Sequence, residues 1–544
     1  MGLAPYFAKT VQSASQVLAD FDEASFTAAL DARLVGIAWD GAAATSAEGS
    51  ATLELLTDLL ARLYPRLALV ALDERANGIR TELDLAASAI NPNLEIIDTV
   101  DAADVVVVVG ATALPNGAGP RRDSQAARAA RQVFYVGSDG WVLRFSRNSP
   151  VGSGSTDLVF AAGAAACVAA GNVFRAVFGA HLATSELDND FALSLLSMER
   201  EEFNVPLPTA VGVNANPGVS GPLDVGEVHL VGVGAIGHGA VWAWRRTPRL
   251  RGTIHLVDGE HYDDTNPQRY VETKWDVSGP KATGAARAWT SPDVVVVPHD
   301  VHWDAYIARE GPHRAWRIER AALALDTADA RIAVQASIPR AIHNAWTRPE
   351  NLGISRHDFL TGACVACLYV PRGRRPNRDE IVARAFHMTA EIDLRRVRLY
   401  LDTGAPLDLA AIDWLANSLG LDVAARRRAA QFVGAPLLVF YTRGLCGGAV
   451  MPLSDMGGRV HAVEVPLAFQ STLAGVLLAA DVVMEACALR SRQLPARTEV
   501  NLLAPMGRVL NSPQERPSSG ACLCQDAEFV SAYREKYGLA DSAR

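Results

Sequence analysis

The alternation of apolar and polar positions along the chain sets up the same rhythm twice. Short apolar runs at Leu34–Ile37, Leu67–Leu72, Val105–Val109 and Val133–Val136 are separated by longer mixed segments. Runs of this length, bounded by polar turns, read as buried strands. Between the first two lies TLELLTDLLARLY, residues 52–64, whose leucines recur at helical spacing. A second series begins past residue 226, with apolar runs at Val228–Val231, Thr253–Val257, Val294–Val297 and Ala321–Leu325. Each series closes on a long helix of small residues, FAAGAAACVAAGNVFRAVFG and FQSTLAGVLLAADVVMEACALR. Strands alternating with helices predict an α/β protein with parallel sheets. The repetition predicts two diverged copies of one Rossmann-like, nucleotide-binding fold. A third pattern, purely helical, interrupts the second copy: residues 380–401, 408–421 with Asp408 as the cap, and 424–432.

Only the second copy carries a nucleotide signature. Its first strand runs into Gly232-Val-Gly234-Ala-Ile-Gly237 and then an amphipathic helix, the strand–turn–helix context that gives a glycine fingerprint meaning. Gly232 permits the tight turn, Gly234 lets backbone approach a phosphate, and Gly237 lets the helix pack on the strand. The helix N-terminus then favours negative charge. The second strand ends at Asp258, placed to hold ribose hydroxyls. Asn266, Arg269 and Lys281 follow in a stretch too polar for a core. A hydride-transfer enzyme does not need two cations there, whereas charge building on a triphosphate does. The fourth strand ends at Asp326, with Arg331 five residues on, and a carboxylate at that sheet edge suits magnesium. In the first copy, the corresponding GIAWDGAAA has no GxGxxG and no such series behind it.

On these motifs, Gly232-x-Gly234-x-x-Gly237, Asp258-x-Glu260, Asn266-x-x-Arg269, Gly279-Pro-Lys281 and Asp326-x4-Arg331, the sequence resembles the ubiquitin-activating enzyme family. That family includes prokaryotic relatives that activate sulfur-carrier proteins. The match covers residues 226–370 and resumes near Cys446. Thr327, where the family commonly has asparagine, and Pro267 depart from the pattern without removing a charge. The resemblance implies ATP-dependent adenylation of the C-terminal glycine carboxylate of a ubiquitin-like protein. It places Asp258 on the ribose, Arg269 and Lys281 on the phosphates, Asp326 on Mg2+, and Asn266 at the reacting end. It further implies an inactive adenylation half, residues 1–205, paired internally with an active half at 206–370 and 446–544, so that a single chain acts as a pseudo-dimer. The helical insertion, 371–445, would carry the catalytic cysteine region, and the Pro/Gly-rich stretch 206–223 would link the halves. The family's inactive half lends an arginine to the site. Arg33, Arg121 and Arg122 are open choices with no motif behind any of them. The layout is closest to activating enzymes of bacterial ubiquitin-like conjugation cassettes linked to antiphage defence.

The cysteines divide by spacing. Cys364 and Cys367 form CxxC, Cys522 and Cys524 form CxC, and two close pairs make a closed tetrahedral zinc site of structural kind. Cys446, in YTRGLCGGAVMP, has flanking glycines that leave it accessible and Arg443 to lower its pKa. The resemblance makes it the nucleophile that takes the acyl group as a thioester and passes it to a conjugating enzyme's cysteine. Cys167 and Cys487 lie in Ala-rich helices and are expected to be core packing. His229, His238 and His255 have no metal spacing and are assigned no role.

Composition narrows the field. A net charge of −9 over 544 residues, with no basic stripe, argues against nucleic acid as a partner. The start, MGLAPYFAKTV, lacks a signal-peptide layout, and no apolar stretch is expected to span a membrane, since Asn172 and Arg175 interrupt the run at 159–171. Seven cysteines are too few for a secreted disulfide scaffold, so a cytoplasmic protein is expected. The rival readings are a sulfur-carrier adenylyltransferase, a peptide nucleotidyltransferase that needs no Cys446, a nucleotide-sensing scaffold without turnover, and a dinucleotide oxidoreductase.

Overall fold

The structure, a computed structural model, describes residues 2–115, 131–202, 219, 221–370, 378–445, 450, 465–507 and 509–539. The first copy forms eight strands: β1 Val35–Trp39, β2 Arg66–Ala71, β3 Glu95–Ile97, β4 Val105–Val109, β5 Gln132–Asp139, β6 Val142–Ser146, β7 Phe191–Ser194 and β8 Glu199–Glu202. The second forms β9 Leu223–Val231, β10 Leu250–Val257, β11 Val294–His299, β12 Arg320–Leu323, β13 Ala341–Thr347, β14 Leu352–Asp358, β15 Arg497–Val500 and β16 Leu510–Ser512. The two sheets have orders β3-β2-β1-β4-β5-β6-β7-β8 and β11-β10-β9-β12-β13-β14-β15-β16, so one follows from the other by adding eight. In each, pairing is parallel as far as the fifth strand and antiparallel beyond it. The chain is therefore two tandem Rossmann-like α/β halves.

The strands appear where the valine- and leucine-rich runs place them. Val105–Val109 is buried at every position, as a central parallel strand flanked on both faces requires. The sequence patterns do not predict the antiparallel additions, which are mixed in polarity as in Glu199–Glu202, nor the parallel strands β3 and β13. The linking residues 203–218, most of the 206–223 linker, lie outside the described residues.

Small residues bring the halves together. The helix Phe160–Phe178 of the first half lies against the helices Ala235–Arg245 and Ala468–Ala486 of the second. A Cβ at Gly163 would come within 2.5 Å of the Trp242 ring across the seam. Inside the second half, one at Gly475 would come within 2.1 Å of the Ile236 carbonyl oxygen, so its two seam helices also pack closely on each other. Phe174 and Phe469 meet across the seam, ring centroids 5.7 Å apart, while Trp244 Nε1 donates to the Ala479 carbonyl at 3.2 Å within the second half. One expectation is corrected here. The helical segment Phe160–His181 and the helix Ala468–Ala486 are long and apolar enough to cross a membrane, because Asn172 and Arg175 do not end the first. Both residues are buried and share a partner: Asn172 donates to Asp188 at 2.8 Å, and Arg175 pairs with the same carboxylate. Nearly all of each apolar window is inside the protein, 89% and 94%, which makes these core helices of the seam.

The insertion folds on its own small core of Val382, Phe386, Val397, Ile412, Leu415 and Phe440. Its helices are Arg378–Ala385, Glu391–Thr403, Leu409–Ser418 and Val423–Ala429. Asp408 caps the third, accepting from the Ala411 amide at 2.7 Å. The expected single helix at 380–401 is two, because the chain turns at His387 with φ +59°.

Candidate active site

β9 and β12 are neighbours whose crossovers run to opposite sides of the sheet, and ligands bind at such switch points. A cleft of about 2160 Å³ opens there, larger than the roughly 300–1,000 Å³ of an ordinary small-molecule site. Gly232, Gly234, Asp258, Asn266, Arg269, Lys281 and Asp326 all line it. The local geometry explains the glycines. Gly232 has φ +93°, and a Cβ on it would sit 2.6 Å from the Ala324 carbonyl oxygen. A Cβ on Gly237 would sit 2.4 Å from the Gly232 carbonyl oxygen, so that glycine lets the helix Ala235–Arg245 close on its strand. Gly234 caps the helix and faces open space, with nothing nearer a hypothetical Cβ than the Tyr270 hydroxyl at 3.5 Å.

The acidic and basic residues divide by task. Asp258 accepts from the Val233 amide at 2.7 Å and the Glu260 amide at 2.8 Å, which ties the end of β10 to the glycine turn. Burial raises its pKa, against the pull of those two amides. Lys281, at the start of the helix Lys281–Arg287, is buried and paired with Glu260. Burial opposes its charge, but Tyr270 and Glu260 more than offset this and hold its pKa above the ordinary lysine value. Arg269 is different. Its guanidinium lies 5.2 Å from the centre of the Tyr270 ring, and its Nη1 is buried with no hydrogen-bond partner among the described residues. A buried guanidinium donor left open at a cleft wall is costly unless an anion fills it. Asn266 is buried in the turn Asn266–Gln268, where Pro267 fits the turn's early position, so that departure from the family pattern is harmless. Thr327 caps the helix Ala328–Ala336, accepting from the Ala330 amide at 3.2 Å, a job asparagine does equally well. Arg331 is committed to β13, donating to Asn344 Oδ1 at 2.9 Å and the Ala345 carbonyl at 3.0 Å.

The first half reaches this site with residues the sequence did not mark. Lys9, on the helix Phe7–Ser15, is near enough for the Arg269 and Asp263 charges to act on it, although it does not line the cleft; burial and the Arg269 charge bring its pKa down to about 8. Arg33 does not serve: it pairs with Asp104 at 3.0 Å beside its own sheet. Arg121 and Arg122 lie outside the described residues. Lys9 sits in FAKTVQSAS, which carries no signal that could have found it.

The four cysteines Cys364, Cys367, Cys522 and Cys524 converge, all buried. Their contacting sulfurs are 3.9, 3.5, 3.3 and 3.5 Å apart, close to the tetrahedron edge of about 3.8 Å for sulfurs 2.3 Å from one ion. The set could hold zinc with no position left open, and the shortened CxC reaches because Leu523–Gln525 winds as a tight 3-10 turn. Cys446 lies outside the described residues, as do 447–449. Cys167 is buried in the seam helix and its thiol pKa is pushed well up by burial; Cys487 is half-buried at a helix end. A second group, Glu227, His229 and His255, also converges. There, the Arg314 guanidinium already pairs with Glu227 and approaches His255 Nε2 at 3.1 Å, so the group is neutralised by protein.

Comparison with known proteins adds a family. The chain is 41% identical over 540 residues to the uncharacterized protein y4jF of Sinorhizobium fredii, covering 99% of this chain and 98% of that one. It belongs to the family of that protein. Residues 38–179, within the first half, match the family model of Prokaryotic E2 family C. Among solved structures, E. coli MccB with MccA-N7isoASN is 15% identical with a TM-score of 0.33, covering 55% of this chain and 66% of that chain. E. coli MccB with ATP is 13% identical with a TM-score of 0.31, over 54% and 65%. The chain thus spans just under two thirds of those structures, a likeness too slight to fix a function.

Proposed function

We propose that the second half is an ATP-dependent adenylating enzyme that activates the C-terminal carboxylate of a ubiquitin-like protein. The observation that carries this reading is the partnerless buried Nη1 of Arg269, in a cleft shared with Lys281, an open glycine turn and the carboxylates of Asp258 and Asp326 among others. The modifier's carboxylate oxygen attacks the α-phosphorus of ATP, the bond to the β-phosphate breaks, and acyl-AMP and pyrophosphate result. Gly234 and the helix N-terminus receive phosphate, Asp258 orients the ribose, Arg269 and Lys281 stabilise the charge that builds on the leaving phosphates, and Lys9 adds a cation from the first half. Asp326 would hold Mg2+, which supplies charge neutralisation when bound. The cleft volume beyond what a nucleotide fills accommodates the modifier's extended tail. The Cys446 thiolate then attacks the acyl carbon, AMP leaves, and the thioester passes to a conjugating enzyme. Zinc on the four cysteines is structural. The division into 1–205, 206–370, 371–445 and 446–544, a cytoplasmic setting and action as a single chain belong to the same reading.

The test is ATP–pyrophosphate exchange with a ubiquitin-like protein ending in glycine, for wild type, Asp326→Ala and Cys446→Ala. Exchange that needs the modifier and Asp326 but survives loss of Cys446, with a thiol-sensitive conjugate absent only in Cys446→Ala, is the expected pattern. Exchange without any conjugate would reduce the function to adenylation alone. No exchange with any modifier would sink it.

A further inference from the structure

The loop that carries Arg269 and Tyr270 belongs to the second half, yet first-half residues hold it along its length. Arg62, at the end of the helix Ala47–Ala61, has a side chain 1% exposed and donates to the Pro267 and Thr273 carbonyls, the latter at 3.2 Å. The Arg62 fork is itself aligned by Asp58, with Nε to Oδ1 at 2.7 Å. Asp58 Oδ2 also accepts the Glu272 amide at 3.2 Å. Ser13 Oγ accepts from Gln268 Nε2 at 3.1 Å, and the Ala89 carbonyl accepts from the Trp275 amide at 3.4 Å. Glu272 has φ +67°, a left-handed conformation that a glutamate holds only where its surroundings over-determine it. Its surroundings here are Asp58 and the paired Arg245 and Arg246. Tyr270, fixed by this loop, sits against both phosphate cations, its ring centre 5.3 Å from Lys281 Nζ.

We infer that the first half works as a template for the phosphate loop, with Arg62 its central positioning residue. Arg62 touches no substrate in this arrangement. It spans two loop carbonyls six residues apart in sequence, fixes the arc between them, and so sets where the Arg269 guanidinium and the Tyr270 ring stand. The consequence for turnover rests on the adenylation reading; the effect on the loop does not. Only a guanidinium can span both carbonyls while pairing with Asp58, since an ammonium is a single point donor.

The experiment compares wild type with Arg62→Lys and Ser13→Ala in the full chain. Arg62→Lys keeps the charge beside Asp58 but loses the span. Amide hydrogen exchange over residues 268–275 should speed up at least about tenfold, while the first-half sheet keeps wild-type protection. Pyrophosphate exchange should show kcat down about 10- to 100-fold, with KM for the modifier unchanged, the signature of cations displaced from the transition state. Ser13→Ala, which removes one neutral partner and leaves no buried charge, should move both readouts in the same direction by about two- to fivefold and decides the matter if Arg62→Lys does not fold. Loop exchange at the wild-type rate in a folded variant overturns the inference, and so does a loosened loop with unchanged kcat. If wild type itself gives no pyrophosphate exchange, the adenylation reading has failed, and the hydrogen-exchange arm still decides whether Arg62 holds the loop.

Discussion

The two halves share a strand order, and at the turn after the first strand they differ by an exchange of side chains. By register, Trp39 at the end of β1 pairs with Ala71 and Val109, as Val231 at the end of β9 pairs with Val257 and Leu323. Asp40 therefore stands where the second half has Gly232, and Gly110 where it has Ala324. The exchange is compensated: at Gly232 a Cβ would meet the Ala324 carbonyl, and in the first half Gly110 has given up its own Cβ to the Asp40 carboxylate, which would lie 2.3 Å away. Asp40 accepts from the amides of Ala43, Ala111 and Thr112 at 2.9, 2.7 and 2.9 Å. A turn that would have cradled a phosphate has been given an internal anion. On the proposed reading, the Asp40 carboxylate fills in the first half the place that the second half leaves open at its glycine turn.

The sharpest way to break this comparison is to give the second half the first half's residue. Gly232→Asp places a carboxylate in the open turn, and at φ +93° also strains the backbone. ATP binding, read by equilibrium dialysis or fluorescence titration, should weaken at least about 100-fold; retained binding would mean that Asp40 is not what silences the first half. Next in size is metal removal. The described first half has no thiol cluster, whereas chelation or Cys524→Ser should release about one zinc per chain, counted by elemental analysis, and cost the second half several kcal/mol of thermal stability. A melt unchanged on chelation would show the four thiols to be metal-free.

Acid should separate the halves more gently. Burial lowers His229 to about 3 and His238, His299 and His357 to about 4, all in the second half; the one histidine of residues 1–205 is His181. A histidine whose folded pKa is depressed binds its proton only in the unfolded chain. Stability is therefore full above about pH 6.5 and falls as pH drops toward the folded values, by about 1.4 kcal/mol per pH unit for each such group. His343, held raised by Asp481 and Glu485 against its burial, is protonated in both states below about pH 6.5, so it adds no slope there and loses its contribution only as pH rises above that value. Hydrogen exchange between pH 6.5 and 4 should show second-half amides losing protection first. The smallest effect expected is for Thr327→Asn, which restores the residue common in the activating-enzyme family. One cap replaces another, so melting should shift by under about 0.5 kcal/mol and ATP affinity by under about twofold.

Four parallel strands in each half were legible as short apolar runs, but β3, only three residues long, and β13, whose run is broken by His343 and Asn344, were not. The cleft was legible because glycines, Asp258, Arg269 and Lys281 keep a fixed spacing along one chain segment. The first-half residues beside the cleft were not. Lys9, Arg62 and Asp58 act across the seam, where position follows from how two halves dock and leaves no periodic trace. Arg62 sits in a run, TLELLTDLLARLY, that reads as an ordinary amphipathic helix, and a charge there is normally a solvated one; here it is fully buried. The membrane expectation failed for a related reason. Asn172 and Arg175 looked like breaks in an apolar helix until Asp188 supplied a buried partner for both.

The four-thiol cluster also has a consequence for how the chain is made. Cys364 and Cys367 wait for Cys522 and Cys524, and β14 waits for β15 at Arg497–Val500. On the ribosome the strands of the first sheet have all emerged once residue 202 is out, while the second sheet waits for β16 at Leu510–Ser512 and the thiol cluster for Cys524. For those intervening residues the nascent chain carries a finished template beside an open, apolar edge, which is the interval in which a chaperone or the template's own surface must guard it.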